Sequence, residues 1–560
     1  MTSGRAAGPS RVRLAARLGG NGGLARGVAG AAVLIGAITV LARVTGFAKQ
    51  LAFARAVGTN CLATAYYTAN QVPNIVFEVV AGGALAGMVV PVLAGSAGRS
   101  TEEARAEAGR IASALMTWVV VLLVPLTVIT ALVAGPVTRL LLGAAVPGCD
   151  PAQVAAVATR MLVVFAPQIP LYGMAVVLYG VLQAHRRFAG PALAPLVSSV
   201  VVIVAYLAFV PLSGGDRDPA SVPGPAEYAL SAGTTLGVLA LVVTVAGPAA
   251  VLRLRWRPVL RFPDGVAVQV RRLALAGLSG LLAQQAAMAL VIPLANREVG
   301  GGALAAYNYA WAVYQVPYAV LAVPIATSAF PVLAARAEGG DGEGFAALSA
   351  RTTRAVVLVC GLAAGALAAA AGPVAHVFLS QADTRVAPEA FARAIALFAP
   401  GLVGYGLTAH LSRVLYAAGR GRAAARGMVI GWLTAGAAQV AFALLLPGEW
   451  RLGGLAAGQA VGMTVGGALL LASVAAARGA DAVQGVPRAV AAAVLGGGAG
   501  FLAGAAAVRL TGGEGPWTAL ATAALAAVVA LAAGAAVTAA ADREALGAVL
   551  TRFRTRGGAA

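Results

Sequence analysis

Hydrophobic residues run along this chain in segments of roughly 18 to 30 positions, separated by short polar breaks. Each segment is long enough to cross a hydrocarbon layer roughly 30 Å thick as a helix. Only helices and closed barrels satisfy their backbone hydrogen bonds within lipid. Alternating segments of about ten residues, which are typical of membrane β-barrels, are absent. The pattern therefore predicts an all-α polytopic membrane protein.

About fourteen spans fit this pattern. We place spans 1 to 14 at residues 28–48, 64–94, 108–134, 154–184, 190–213, 226–252, 270–296, 302–336, 352–379, 389–418, 424–446, 452–477, 487–509 and 517–540. Residues 1–27 are polar and rich in arginine and glycine, without the short apolar core of a cleavable signal. They predict a disordered tail before the first span, and residues 542–560 form a second tail after the last.

The basic residues indicate the orientation of the spans. The chain is 60% hydrophobic and 11% charged, with a formal net charge of +20. Arginines are concentrated in the two tails and the even-numbered loops, except that Lys49 and Arg55 lie near the end of span 1. Because basic loops stay on the cytoplasmic side, both termini are predicted to be cytoplasmic. The same bias and attraction to anionic lipid explain the positive charge without nucleic acid.

Three stretches of sequence occur twice in the same order. "QVPNIVFEVVAGGALAGMVVPVLA" (71–94) matches "QVPYAVLAVPIATSAFPVLA" (315–334). "AGPVTRLLL" (134–142) matches "AGPVAHVFL" (371–379), and "FAPQIPLYG" (165–173) matches "FAPGLVGYG" (398–406). The offset covers six spans, and an even number preserves orientation. The chain therefore contains parallel repeats related by an axis along the membrane normal.

Two parallel repeats predict two lobes that face one cleft. We assign residues 28–252 to an N-lobe of spans 1–6, 253–477 to a C-lobe of spans 7–12, and 478–541 to spans 13 and 14. This is the architecture of a transporter that works by alternating access. The three histidines are scattered, and no motif for ATP, zinc or a catalytic nucleophile appears in a suitable context. An enzyme and a bound cofactor are therefore not expected.

Three segments resemble a known family. They are "ARVTGFAKQLAFARAVG" (42–58), "TAYYTANQVPNIVFEVVAGGALAGMVVPVLA" (64–94) and "LAVPIATSAFPVLAARAEGGDGEGF" (321–345). They are similar to helices 1, 2 and 8 of the MurJ (MviN) lipid II flippases, within the multidrug/oligosaccharidyl-lipid/polysaccharide exporter superfamily. The resemblance covers roughly residues 28–540. The arginine-rich, lysine-poor composition favours an actinobacterial source.

The resemblance implies a plasma-membrane flippase that moves lipid II, a polyprenyl-pyrophosphate-linked glycan, to the outer leaflet. Membrane lipids and proteins of cell-wall synthesis would be its partners. A flippase for another polyprenyl-linked glycan, an exporter of amphipathic drugs and a non-transporting cell-wall scaffold are the alternatives. Spans 7, 11 and 12 carry no acidic residue within the membrane, so no metal site is expected.

Charged and polar residues within the spans are the candidate substrate-binding residues, because such residues are costly in lipid and tend to be functional. The resemblance implies that Arg43 and Lys49 represent a pair of basic residues in the cleft. The alternative for Arg43 is a side chain that extends to the outer membrane interface. Glu78 either pairs with one of these cations or acts as a substrate or proton site. The amides of the second and eighth spans, Asn70, Asn74, Asn308 and Gln315, either bind the headgroup or join helices.

Aromatic residues and cysteines complete the set of candidates. Tyr66, Tyr67, Tyr307 and Tyr309 either stack on sugar rings or belong to the interfacial aromatic belt, and we expect the belt for half of them. Cys61 and Cys149 fall in the first and third loops, both predicted to be external, where disulfides persist. These two cysteines are a candidate disulfide, the alternative being two free thiols. Cys360 lies within span 9 and is predicted to pack.

Overall fold

The computed structural model describes residues 18–79, 89–90, 92–93, 101–254, 256–263, 266–380, 383–511 and 515–541, and within them the chain is helical without a β-strand. Residues 1–17 and 542–560 of the predicted tails, and most of the second half of span 2, lie outside the described residues. The first helix begins at Leu18, inside the predicted tail, because no proline interrupts the backbone up to Ala56.

The α-helices are numbered here in chain order. They are α1 (Leu18–Ala56), α2 (Cys61–Phe77), α3 (Glu102–Leu132), α4 (Ala134–Leu142), α5 (Pro151–Phe165), α6 (Gln168–Ala184), α7 (Ala189–Ser213), α8 (Gly224–Ala250), α9 (Val266–Leu294), α10 (Ala303–Pro317), α11 (Val323–Glu338), α12 (Gly342–Leu379), α13 (Pro388–Phe398), α14 (Gly401–Ala417), α15 (Gly421–Leu445), α16 (Gly448–Arg478), α17 (Val486–Thr511) and α18 (Pro516–Ala541). Two π-helical turns, Ala295–Val299 and Tyr318–Ala322, follow α9 and α10.

The helices fit the predicted spans closely. Within the described residues, 11 helical segments are long and apolar enough to cross a membrane, or 12 with the bent pair α13–α14. These segments correspond to predicted spans 3–14. Spans 1 and 2 coincide with α1 and α2, but α2 has only 17 described residues. The multi-pass helical fold is confirmed, whereas the count of fourteen stays a prediction.

The repeated sequences mark breaks in the helices. In the Phe-Ala-Pro repeat, α5 ends at Phe165 and α13 ends at Phe398, and a new helix begins three residues later in each half. The bend between α13 and α14 is 40°. π-Helical residues also follow the Gln-Val-Pro sequence in both halves. Proline removes a backbone donor, so the helix must end or rearrange near it.

Glycines bring the helices into close contact. α12 packs against α17, where Gly361 and Gly365 face Gly497, and α17 packs against α18, where Gly496 faces Gly534. Lipid gives helices little hydrophobic reason to associate, so close van der Waals packing at small residues holds them together. The last two helices are thus docked on the C-terminal half of the chain.

Two neighbouring glycines of α17 test this packing. A Cβ atom added at Gly497 would lie 2.7 Å from the carbonyl oxygen of Gly361, whereas one added at Gly498 would meet no atom within 4 Å. We expect Gly497→Ala to cost about 1–3 kcal/mol through overpacking. Gly498→Ala should be neutral or stabilising, because alanine favours the helix by up to about 1 kcal/mol. Thermal unfolding of the purified variants in detergent measures the difference.

An equal unfolding temperature for the two variants would contradict the proposed glycine contact between α12 and α17. Because the two sites are adjacent in one helix, any effect of the membrane mimic acts on both alike.

Candidate functional site

Four loops meet at one end of the helical bundle and join the two halves of the chain. We call this contact the seam; it comprises residues 57–60, 143–150, 295–302 and 383–387. The backbone N–H of Thr59 donates to the carbonyl of Asp383 at 2.9 Å, and the N–H of Arg385 donates to the carbonyl of Thr59 at 2.9 Å. The side-chain amide of Asn60 donates to the Asp383 carboxylate at 2.8 Å. All four loops are among those predicted to be external.

Glycines in the seam allow the backbones of the two halves to approach closely. The N–H of Gly301 donates to the carbonyl of Pro147 at 2.9 Å, and the N–H of Gly302 donates to the Thr64 hydroxyl at 2.7 Å. Gly300 and Gly302 have φ of 117° and 81°, a backbone region that favours glycine. A side chain at Gly302 would also collide with the backbone of Thr59. The loop before α10 therefore reaches the opposite half through its backbone.

The two candidate disulfide cysteines lie at this seam. Cys61 and Cys149 are bonded, with their Cα atoms 5.7 Å apart. Both belong to the N-terminal half, and their sulfur atoms face Gly301 of the other half. The bond therefore fixes the surface on which the C-terminal half closes. Cys360 is buried and free.

The candidate tyrosines lie inside the protein. Tyr66, Tyr67, Tyr307 and Tyr309 are all buried, with Tyr67 the most exposed at 7%. The Tyr66 hydroxyl bonds Tyr206 at 2.7 Å, and the Tyr67 hydroxyl donates to Gln50 at 2.8 Å. The expectation that half of them belong to an interfacial belt is wrong. Their rings pack in the core behind the seam, and hydroxyl partners there make burial of a tyrosine favourable.

The predicted amides connect α2 to its neighbours. Gln71 donates from its amide to the Asn308 side-chain carbonyl at 3.2 Å, which joins α2 to its repeat counterpart α10. Asn74 accepts a hydrogen bond from the Tyr172 hydroxyl at 3.2 Å. The side-chain oxygen of Asn70 is buried without a partner among the described residues. Gln315 interacts with the Tyr405 hydroxyl. Among these contacts, the Gln71–Asn308 hydrogen bond is the one that joins the two halves.

The predicted charges are not paired with one another. Arg43 is exposed and Lys49 half-buried on α1, and neither forms an ion pair with any described residue. Glu78 follows the end of α2, is exposed, and likewise has no ionic partner in the described part of the chain. The predicted alternative of a salt bridge between Glu78 and a helix-1 cation is therefore absent from this conformation.

Two stacked tyrosines of the C-terminal half lie near these charged residues. Tyr318 and Tyr405, which we call the tyrosine pair, have ring centroids 4.0 Å apart. Arg43 lies within electrostatic range of the Tyr318 hydroxyl, and Glu78 lies within that of Tyr405. Residues of α1 and α2 thus approach a surface built by the C-terminal half. We call the space between them the cleft.

The repeated Phe-Ala-Pro sequences contain a tyrosine at a matched position, which could have indicated the surface of the cleft from the sequence. Tyr405 and Tyr172 occupy the same position of the two Phe-Ala-Pro sequences, and both hydroxyls lie within electrostatic range of Glu78. Sequence reasoning used these repeats only to show duplication and missed the tyrosines. It also missed the bidentate ion pair of Arg160 with Glu227, whose closest atoms are 2.6 Å apart. Within the described part of the chain, no cluster of acids, histidines or cysteines could hold a metal ion.

Comparisons with known proteins give a consistent picture. A family profile described as "Lipid II flippase MurJ" matches residues 53–508. A lipid II flippase MurJ of Burkholderia cenocepacia is 27% identical over 181 residues, which are 32% of this chain and 34% of that protein. A probable lipid II flippase MurJ of Synechocystis sp. is 28% identical over 186 residues, 33% of each chain. The matched segments thus span about a third of the length of these curated relatives.

Solved structures share the fold. One is a lipid II flippase MurJ in an inward closed conformation, with a TM-score of 0.70 and 16% identity, covering 90% of this chain and 98% of that one. Another is an inward-facing multidrug resistance MATE family transporter of the MOP superfamily, with a TM-score of 0.63 and 15% identity. It covers 78% of this chain and 95% of that one. At these identities the likeness establishes the fold alone.

The disulfide gives a direct chemical test. We expect Cys61 and Cys149 to resist alkylation in the purified, unreduced protein and to react after reduction and unfolding, because disulfide sulfurs are not nucleophilic thiols. Cys360 is the internal control, since its free thiol should react once the protein is unfolded, with or without reduction. Peptide mass spectrometry distinguishes the three sites. Alkylation of both Cys61 and Cys149 without reduction would rule the bond out.

Proposed function

The chain belongs to the lipid II flippase MurJ family, and from this premise we propose that it moves a lipid-linked peptidoglycan precursor across the plasma membrane. The direction is from the inner to the outer leaflet, and the mechanism is alternating access of two lobes. The substrate is a polyprenyl-pyrophosphate-linked glycan. Both termini face the cytoplasm, as the distribution of arginines favours.

The cleft supports this proposal. Arg43, Lys49 and Glu78 have no ionic partner in the described part of the chain, although charged groups within a membrane are costly and normally paired. This observation carries the proposal, because a pyrophosphate would supply the negative charge that Arg43 and Lys49 lack. Arginine suits a pyrophosphate, since its planar fork donates two parallel hydrogen bonds and stays charged.

The seam supports the direction of access. Its loops are those predicted to be external, so in this proposal the seam is the seal on the outer side. In this proposal the N-lobe (28–252) and the C-lobe (253–477) separate at the seam to release the substrate outward. The seam is held by individual hydrogen bonds of backbone and side-chain groups, which can break and form again when the lobes separate. Helices α17 and α18, which contact α12, move with the C-lobe.

Arg43 provides the first test of this function. In a host depleted of its own lipid II flippase, we expect the wild-type chain to restore growth and Arg43→Ala to fail while being expressed normally. Arg43→Lys should retain part of the activity, because lysine keeps the charge but loses the bidentate geometry. Lys49→Ala should be milder. Colony counts and the amount of lipid II in the outer leaflet are the measurements.

Arg139→Ala is the matched control, because Arg139 is exposed on α4 and lies outside the cleft. Growth of Arg43→Ala at the wild-type level would refute the role of the cationic cleft. A wild-type chain that leaves outer-leaflet lipid II depleted would refute lipid II as the substrate.

The seam provides the second test. Thr59 and Thr384 pair in a short β-bridge, with hydroxyl oxygens 2.5 Å apart. We expect Thr59→Cys combined with Thr384→Cys to form a disulfide across the two halves under oxidising conditions. Because the halves could then not separate at the outer side, transport should stop and return on reduction. Flipping by the purified protein in vesicles is the measurement.

Each single cysteine variant is the control and should remain active under both conditions. Mass spectrometry must show that the new bond joins residues 59 and 384 and leaves the Cys61–Cys149 bond intact. Full flipping by the cross-linked protein would mean that the seam is not the outer gate.

A further inference from the structure

A pocket of 190 Å³ lies within the C-terminal half of the chain, between α9, α14, α15 and α16. The polar residues that line it include Gln284, Tyr405, Thr408, Ser412, Arg413 and Trp432. It shares the tyrosine pair with the cleft, because Tyr318 and Tyr405 both belong to its wall. The amides and charges predicted from the sequence as substrate-binding residues are absent from its lining.

The pocket has a single positive charge and no negative one. Arg413 is the only charged residue among those that line it. The carbonyl of Ala409 accepts one hydrogen bond from its guanidinium at 2.5 Å and is its only hydrogen-bond acceptor in the described part of the chain. A guanidinium has five N–H donors, so most of its donor capacity points to no described protein group. Such a cation within a membrane protein normally has a partner.

The other groups in the pocket favour an anion over a cation. The indole of Trp432 donates and does not accept, and the amide of Gln284 can donate as well. The Ser412 hydroxyl already donates to the carbonyl of Ala409 at 3.4 Å. The Thr408 hydroxyl donates to the carbonyl of Tyr405 at 2.7 Å, which fixes its position in the wall. A metal cation would need carboxylates or several carbonyl oxygens, and the lining offers no carboxylate.

We propose that this pocket binds an oxyanion, a carboxylate or a phosphate, with Arg413 as its counter-charge. Charge-assisted hydrogen bonds from a guanidinium to such a group are roughly twice as strong as neutral ones. The anion has two sources: a free phosphate ion, or an anionic part of the substrate headgroup. The second source rests on the proposed function, whereas binding itself does not.

The pocket and the cleft would then hold different parts of one ligand or two different ligands. Arg43 and Arg413 both lie within electrostatic range of the Tyr318 hydroxyl, and Tyr318 belongs both to the pocket and to the surface of the cleft.

Binding is measured on the purified protein in detergent at neutral pH and constant ionic strength. Inorganic phosphate is titrated while tryptophan fluorescence is recorded, because Trp432 lines the pocket. We expect a saturable change that Trp432→Phe removes, and an affinity that falls about tenfold or more in Arg413→Gln, as expected for loss of a charged donor. Arg139→Gln is the matched control and should bind phosphate like the wild type. Calorimetry gives the affinity independently of fluorescence.

The same titration with muramyl dipeptide, a soluble glycopeptide with a carboxylate, separates the two sources. Tighter Arg413-dependent binding of muramyl dipeptide than of phosphate assigns the pocket to the headgroup, and the reverse order assigns it to a free anion. If Arg413→Gln unfolds, Arg413→Lys takes its place and should bind both probes more weakly than the wild type.

Equal affinity of the wild type and the Arg413 variants for both probes would overturn the proposal. So would the absence of wild-type binding of either probe up to about 10 mM, beyond the range of weak specific complexes. Neither result depends on transport. Failure of the pocket therefore stays distinguishable from failure of the flippase function, which growth of the depleted host reports separately.

Discussion

A hydrocarbon layer supplies no hydrogen-bond partners. The helical backbone, the close packing of the helices and the placement of polar side chains all depend on this constraint. Every described segment that crosses the bundle is helical, so its backbone is satisfied within itself. Within lipid the hydrophobic effect does not drive helices together. Close van der Waals packing at glycines such as Gly361 and Gly497 holds them instead. Polar groups that remain must find one another, as Gln71 and Asn308 do. Arg43 and Glu78 have no ionic partner among the described residues, and the proposed function gives them a ligand.

The sequence was sufficient to predict the helices and their approximate ends, because length and hydrophobicity determine both in lipid. It also led to the pair Cys61 and Cys149, since topology placed both on one side. It failed for Tyr66 and Tyr309, because a tyrosine near a span end has the same pattern whether its ring meets lipid headgroups or the protein core. Pairing of Glu78 could not be predicted either, since it depends on the angle between two helices and on the conformational state.

The two halves share a backbone plan but differ in chemistry. Asn74 and Tyr318 occupy the same place after the repeated Gln-Val-Pro sequence, and each contacts the tyrosine of its own Phe-Ala-Pro sequence. In the N-terminal half this contact is a hydrogen bond from Tyr172, and in the C-terminal half it is ring stacking with Tyr405. The two repeats thus share helix breaks at matched positions. Different residues at one of these positions give a polar contact in the N-terminal half and an aromatic contact in the C-terminal half.

The bond between Cys61 and Cys149 also bears on how the chain is made. It joins residues 88 positions apart, and spans 2 and 3 lie between them. In the proposed topology, both cysteines reach the oxidising outer face only when each of these spans has been inserted in the correct direction. A chain with one of the two spans left out of the membrane would place the cysteines on opposite sides, where they cannot bond to each other. In this topology the disulfide therefore distinguishes correctly inserted molecules from misinserted ones during biogenesis.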